Sequence, residues 1–380
     1  MRRYLVLAVL LALVACRKQD GLDLVSRAHR KTALASDDQV NFKLTQASYA
    51  EAIERAGPGV VTIRAARRMH TVQQDALLTD PLLRDFFGQS SGRLQPDAGL
   101  QLALGSGVIV QPNGIILTNY HLTDGAESIV IELVDRRVFD AKVLGADPPS
   151  DLAVLKIDAR NLPALSLGDS DRARVGDVAL AIGNPLGIGQ TVTAGIISAK
   201  GRSTGFSDGS FEDFLQTDAP INQGNSGGAL INASGELIGI SSQILSNSGG
   251  NIGIGFAIPS NMARNVLQQL LTTGKVRRSR LGVATQPITP ETAANLGLND
   301  WRGVVIDTVA PNSPAARAGM RQGDVIVAFN DVPVTDGNFL RNHVASTLPG
   351  TAVGFTVLRN QHELKIQVIL TEIELRNGAS

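Results

Sequence analysis

From residue 102 to residue 258 the chain is a succession of short β-forming runs broken by turn signals. Val108-Ile109-Val110 is followed by the Pro112-Asn113-Gly114 turn and then by Ile115-Ile116-Leu117. Ile129 to Val134, Val138 to Leu144, Ala153-Val154-Leu155, Val178 to Ile182, Thr191 to Ile197, Ala229 to Asn232 and Leu237 to Ser241 continue the pattern. Strands this short, with turns about every 8–12 residues, bury their apolar faces by packing sheet on sheet or by closing into barrels. Aromatic residues make up 4% of the sequence, so these interiors must be filled by Val, Ile, Leu and Ala. The 39 glycines suit tight turns and barrel corners.

The flanking segments read differently. Ser48-Tyr49-Ala50-Glu51 has capping-box spacing and opens a short helix that Gly57-Pro58-Gly59 ends. Val60 to Ile63 is a strand, and residues 67 to about 100 show no lasting period. Pro259 to Thr273 is helical in pattern and stops at Gly274. Lys275, Arg277, Arg278 and Arg280 then make a polar hinge. Beyond it, residues 280–375 mix short strands with two small helices, one near Ser313-Pro314-Ala315-Ala316 and one near Asn338 to Leu348. The expected organisation is one module over 46–275 and a second over 280–375.

The N-terminus reads as an address. Met1-Arg2-Arg3 and the apolar run Tyr4 to Ala15 form a secretory signal over 1–15. The run is too short for the roughly 20 residues of a membrane span. Leu13-Val14-Ala15-Cys16 resembles the bacterial lipobox, so Cys16 is the expected lipid attachment site and 16–45 a tether to the membrane. Cys16 is the single cysteine, which excludes an intrachain disulfide and a cysteine zinc cluster. Lys and Arg number 35 and so do Asp and Glu. That balance argues against a polyanion binder, and no nucleic-acid partner is expected.

Gly224-Asn225-Ser226-Gly227-Gly228 carries the strongest chemical signal. A serine nucleophile needs a base for its proton and N–H donors aimed at the developing oxyanion. The flanking glycines allow a turn tight enough for the Gly224 and Ser226 N–H groups to face one point. Of five histidines, His29 lies in the tether and His70 in the aperiodic loop, while His343 and His362 read as surface residues. His121 follows a buried-type strand in Leu117-Thr118-Asn119-Tyr120-His121, and Asp151 precedes the apolar run Leu152 to Leu155. A lone His or Asp in such a place is more often structural. The chain order His, Asp, Ser, with the first two in one set of strands and the serine in the next, is that of chymotrypsin.

The chain resembles the HtrA/Deg family of bacterial envelope serine proteases. The matching strings are Gly105-Ser106-Gly107-Val108-Ile109, Thr118-Asn119-Tyr120-His121, Ser150-Asp151-Leu152-Ala153-Val154-Leu155, Gly183-Asn184-Pro185-Leu186-Gly187, Gln216-Thr217-Asp218-Ala219, Asn222-Gln223-Gly224-Asn225-Ser226-Gly227-Gly228-Ala229-Leu230 and Gly253-Ile254-Gly255-Phe256-Ala257-Ile258-Pro259. Leu122 stands where the family usually has Val. The resemblance implies a mainly β chain: a chymotrypsin-like double β-barrel protease domain followed by one PDZ domain. It implies a serine endopeptidase, periplasmic and without cofactor or metal. His121 would be the general base, Asp151 its orienting carboxylate and Ser226 the nucleophile. The oxyanion hole maps onto the backbone of Gly224, Asn225 and Ser226. The family is also built on trimers, for which Phe42 and Tyr49 are candidate contacts, and its Gly-rich segments 183–189, 201–209 and 246–253 are regulatory loops.

Pro220, six residues before the serine, and its neighbour Ile221 carry no charge. With Ile238 and Ile240 as the opposite wall, the expected specificity pocket is apolar and takes small aliphatic side chains such as Val. In the second module Arg280-Leu281-Gly282-Val283 matches the PDZ loop that captures a C-terminal carboxylate. The function expected is degradation of misfolded or unfolded proteins, with activity regulated by C-terminal peptides at the PDZ domain. Two alternatives are a stress-sensing protease that cuts one regulatory protein and a peptide-binding scaffold that does not cleave.

Overall fold

The computed structural model describes residues 48–68, 100–184, 189–204, 211–222, 224–244, 252–296, 298 and 302–373. The signal, the tether with Cys16, most of the aperiodic loop and parts of the Gly-rich segments lie outside these residues.

A short helix, α1 (Ala50–Ala56), leads into the first barrel. The N-cap position is Tyr49 rather than Ser48, with no side-chain cap bond from Tyr49, whose ring packs against the core between the barrels. The first barrel comprises β1 (Val60–Arg68), β2 (Leu100–Gln111), β3 (Ile115–Thr118), β4 (Ser128–Glu132), β5 (Val138–Asp147) and β6 (Leu152–Ile157). It closes in the order β1-β2-β3-β6-β5-β4. The second comprises β7 (Val178–Gly183), β8 (Thr191–Arg202), β9 (Phe214–Thr217), β10 (Ala229–Ile231), β11 (Leu237–Ile244) and β12 (Gly255–Pro259). Its closed order, β7-β8-β9-β12-β11-β10, repeats that of the first.

Strand alternation explains why the strands read as continuous apolar runs. Ile109 and Ile116 point into the first barrel, with Ile63, Ile131, Leu155 and Ile157. Their neighbours Val108 and Leu117 point the other way, into a core shared with Leu180, Ile182, Ala229 and Ile240 of the second barrel. Both faces are buried, so no polar alternation survives. The second barrel's interior cluster holds Ala179, Ala181, Ile197, Leu215, Leu230 and Ile238. As the composition required, the buried members of both interior clusters are aliphatic.

Two strands escaped the sequence reading. Phe214–Thr217 and Gly255–Pro259 are short and buried throughout or nearly so, and besides their chain neighbours β8 and β11 they pair with each other. Periodicity cannot reveal a pairing made across so long a separation.

Helix α2 (Ser260–Thr273) places Ala263, Val266, Leu267 and Leu270 on the shared core and ends at Gly274. The second module is a six-stranded assembly: β14 (Val283–Pro287), β15 (Val304–Val309), β16 (Val325–Phe329), β18 (Ala352–Arg359) and β19 (His362–Ile369) in spatial order, with β17 (Val332–Pro333) paired to β16. A two-stranded ribbon, β13 (Ser279–Arg280) with β20 (Thr371–Glu372), closes its base. Of its helices, α3 (Pro290–Leu296) was not anticipated, whereas α4 (Pro314–Arg317) and α5 (Gly337–Ser346) were. Phe329 and Phe355 meet edge to face in its core, 5.2 Å between centroids.

The hinge is less free than its charges suggested. Arg278 is 9% exposed, and its guanidinium forks onto Asp147 at the end of β5, itself 5% exposed, and lies 4.5 Å over the Phe211 ring. The Asn338 and Asn342 side chains of α5 donate to the Glu212 carbonyl at 2.8 and 2.6 Å. These contacts tie the second module to the first.

Two outcomes are expected. Arg278→Ala strands the buried Asp147 carboxylate and should cost roughly 3–5 kcal/mol in urea unfolding, most of it recovered by the double replacement Arg278→Met with Asp147→Leu. Beside the same seam, burial pushes the half-buried Asp213 carboxyl up to about 6, opposed by nearby His343 and Lys200 and aided by Asp171 and Asp336. A raised carboxyl contributes stability that is full below the unfolded value near 4 and lost as pH rises through about 6. Asp213→Asn should therefore raise the melting temperature at neutral pH and leave it nearly unchanged near pH 4, read by thermal scans across that window.

Candidate active site

The carboxylate comes first because it organises what surrounds it. A 3₁₀ turn, Pro148–Ser150, delivers the chain to Asp151 in the left-handed region, φ +53°, one residue before β6. Asp tolerates that conformation better than most residues. Its carbonyl accepts the Tyr120 N–H and the Asn119 side-chain amide, both at 3.1 Å. Those bonds fix the 3₁₀ turn Tyr120–Leu122 that follows β3 and carries His121. The Asp151 carboxylate then accepts the His121 N–H at 3.0 Å and faces Nδ1 of the same ring at 2.9 Å. His121 is 6% exposed. With Nδ1–H directed at the carboxylate, Nε2 is the ring nitrogen that accepts a proton.

A third donor to Asp151 went unseen in the sequence. The Ser242 hydroxyl of β11 reaches Oδ2 at 3.0 Å. The carbonyl of the same Ser242 accepts the Ser226 hydroxyl at 3.0 Å. Ser242 thus joins the second barrel's serine to the first barrel's carboxylate, and both Ser242 and Ser226 are buried. A serine hydroxyl has one proton, so in this geometry Ser226 gives it to Ser242 rather than to the imidazole. Ser242 sits in Ile240-Ser241-Ser242-Gln243, a string with no motif of its own, so only the barrel-to-barrel register picks it out.

The Ser226 turn is built by its backbone. Gly224 has φ +94°. The Asn225 N–H donates to the Asn222 carbonyl at 2.9 Å, the Gly227 N–H to Ser241 at 2.7 Å and the Gly228 N–H to Asn225 at 2.9 Å. Among the described residues, the Gly224 and Ser226 N–H groups are not committed to any of the turn's hydrogen bonds. Asn225 differs from the expectation that it shares the oxyanion hole, because its own N–H is consumed within the turn.

The four expected pocket residues lie in different surroundings. Ile221 and Ile238 pack in the second barrel's interior, Ile240 in the core between barrels, and Pro220 is exposed, its carbonyl held by the Thr193 hydroxyl at 2.7 Å. The shift in β11's pairing near Leu230 interrupts the alternation that would otherwise put Ile238 and Ile240 on one face. Residues 245–251, which follow this strand, lie outside the described residues.

In the second module Leu281 is buried, and the Leu281 and Gly282 carbonyls accept the Ala315 and Ala310 N–H groups at 3.0 and 2.9 Å. Gly282 has φ +82°, and a Cβ there would lie 2.3 Å from the Ser313 Cβ, so glycine is required. Arg280 is exposed, and Val283 begins β14, an edge strand beside α5.

Residues 105–240 match the trypsin-like peptidase domain family, and residues 279–370 match the PDZ domain family. A probable periplasmic serine endoprotease described as DegP-like, from Chlamydia muridarum, is 42% identical over 96% of this chain and 72% of its own length. The chain belongs to the DegP/DegQ family of HtrA-type serine endoproteases. DegQ of Escherichia coli, a periplasmic pH-dependent serine endoprotease, is 44% identical over 85% of this chain and 70% of its own. The solved structure of the HtrA-type protease AlgW with a tripeptide superposes with a TM-score of 0.68 at 43% identity, covering 88% of this chain and all of that one. The chain is a serine endopeptidase with a PDZ domain over residues 279–370, and it binds peptide or protein substrates. Its setting is the bacterial cell envelope.

One expected outcome concerns Gly227. Its φ is +79°, and a Cβ there would lie 2.1 Å from the Ser106 carbonyl oxygen and 2.3 Å from the Thr118 hydroxyl. Gly227→Ala must displace the Ser226 turn and should lower peptidase activity by more than about 100-fold, with a lowered melting temperature. Peptide cleavage per folded molecule is the measurement.

Proposed function

We propose that this chain degrades misfolded or unfolded proteins by acyl transfer to Ser226. His121 takes the Ser226 proton as the oxygen attacks the scissile carbonyl, then returns it to the leaving amine. Asp151 holds the Nδ1–H tautomer and stabilises the imidazolium that forms. The Gly224 and Ser226 N–H groups bind the oxyanion. Water activated through His121 then hydrolyses the acyl-enzyme. The observation that carries this reading is that Ser226 and the Asp151–His121 pair converge on one residue, Ser242, whose carbonyl accepts the Ser226 hydroxyl at 3.0 Å and whose hydroxyl donates at 3.0 Å to the Asp151 carboxylate that faces His121 Nδ1 at 2.9 Å.

The PDZ loop Arg280-Leu281-Gly282-Val283 receives the C-terminal carboxylate of a peptide, and the peptide adds as a strand to β14. Occupancy of that edge shifts the protease toward its active population. The location of β14 at a sheet edge supports this, since its outward N–H and C=O groups have no partner strand within the sheet. Cys16 is lipidated, residues 16–45 tether the protease to the membrane, and the assembly is a homotrimer; the motif and the family resemblance support these readings. The primary pocket is apolar and takes small aliphatic side chains.

The test is degradation of an unfolded test protein by the mature chain, with and without C-terminal peptides. Cleavage should occur, be lost by at least about 10⁴-fold in Ser226→Ala and Asp151→Asn, and rise with peptide. Proteolysis that survives Ser226→Ala refutes the nucleophile. Activity indifferent both to every PDZ-binding peptide and to deletion of 280–380 refutes the regulation.

A further inference from the structure

We infer that Ser106, a first-barrel residue that takes no part in the proton relay, is a positioning residue for the oxyanion hole. The inference rests on the reading of Ser226 as nucleophile and concerns what aims the backbone donors around it.

Ser106 lies in β2 and is 0% exposed. Its N–H donates to the Ser226 carbonyl at 2.8 Å, and its hydroxyl donates to the Gly224 carbonyl at 2.6 Å. The same hydroxyl oxygen accepts the Asn184 N–H at 2.9 Å. Its own carbonyl accepts the Thr118 hydroxyl at 2.8 Å. Asn184 is anchored in turn, its side chain donating to Thr62 at 2.5 Å and accepting the Gly189 N–H at 2.9 Å. One buried hydroxyl therefore joins β2, the segment after β7 and the Ser226 turn.

The geometry of peptide planes gives these bonds their meaning. A carbonyl shares its plane with the next residue's N–H. Ser106 holds the Gly224 carbonyl, and so the plane whose N–H belongs to Asn225 and donates to Asn222. It also holds the Ser226 carbonyl, and so the plane whose N–H belongs to Gly227 and donates to Ser241. The plane between these two carries the Ser226 N–H, with its carbonyl occupied by the Gly228 N–H. Held on both sides by one residue from the other barrel, that middle plane presents its N–H in one direction. The Gly224 carbonyl is fixed by the Ser106 hydroxyl. Without the hydroxyl, the Gly224 carbonyl and the Asn184 N–H lose their shared partner, and the Gly224–Asn225 plane is free to tilt.

The test uses the full mature chain, its Ser106→Ala and Ser106→Cys variants, and Ser226→Ala, with a fluorogenic peptide that the wild type cleaves. Active-site titration normalises each rate to competent enzyme. In Ser106→Ala, kcat should fall by about 10- to 100-fold while KM stays within about twofold. A peptide aldehyde, whose adduct places an oxyanion in the hole, should lose affinity by the factor by which kcat/KM falls. A non-reactive peptide of the same sequence should bind unchanged. Ser106→Cys, which fills the same space with a weak donor, should fall between Ala and wild type, and it gives the reading if Ser106→Ala does not fold. Unchanged kcat per titrated site, or a loss carried by KM with aldehyde affinity intact, overturns the inference while leaving Ser226 in place. Cleavage that persists in Ser226→Ala overturns the nucleophile and this inference together.

Discussion

The apolar core between the barrels, where Val108, Leu117, Leu152 and Val154 of the first meet Leu180, Ile182, Ala229 and Ile240 of the second, brings a serine from one barrel to a histidine and an aspartate from the other. Each fully buried side chain of this kind contributes about 1.5–3 kcal/mol, and α1 and α2 add theirs from outside. Burial is non-directional, however. It presses the barrels together without setting a register to tenths of an ångström. The hydrogen bonds that cross the seam set it: Ser242 to Asp151, and Ser106 to Gly224 and Ser226. Each contributes only about 0.5–1.5 kcal/mol net, but leaving any of these buried groups unpaired costs more, so misaligned packings are disfavoured.

The same seam completes the hydrogen bonding of a partly buried carboxylate. Asp151 has a side chain 27% exposed and three donors on its oxygens: the His121 N–H, the His121 ring and the Ser242 hydroxyl. Two come from its own barrel and one from the other, so the site is complete only when both barrels are in place. A second buried carboxylate, Asp147, lies four residues earlier and is held by Arg278 from the hinge. The short stretch from Asp147 to Asp151 therefore serves both the catalytic centre and the attachment of the PDZ domain.

Much of this was legible in residue order. Strands such as β3, β6 and β7 announced themselves because both of their faces are buried and their apolar runs are continuous. His121 and Asp151 stood out by position, at strand ends, and Ser226 by the glycines around it. The sequence was silent on Phe214–Thr217 and Gly255–Pro259, which pair across 38 or more residues. It was silent also on Ser242 and on the mechanical meaning of Ser106, because a serine in a strand carries no signal until its partner is known. The surroundings of the expected pocket residues were hidden for a related reason. Ile238 and Ile240 are two apart on β11, yet an irregularity in its pairing sends one to the second barrel's interior and the other to the core between the barrels.

Residue order alone pointed to short strands that pack as a sandwich or barrel and to Ser226, His121 and Asp151 as candidates for acyl-transfer chemistry, because turn residues, apolar runs and a glycine-framed serine are local signals; the double barrel and the PDZ module were expected from the family resemblance. The tertiary structure decided which N–H groups of the Ser226 turn remain uncommitted, that Asn225 is not one of them, and that Ser242 and Ser106 hold the turn to the opposite barrel. Those are properties of peptide-plane direction and of contacts between segments over a hundred residues apart, such as Ser106 with Gly224. They exist only once the two barrels have met.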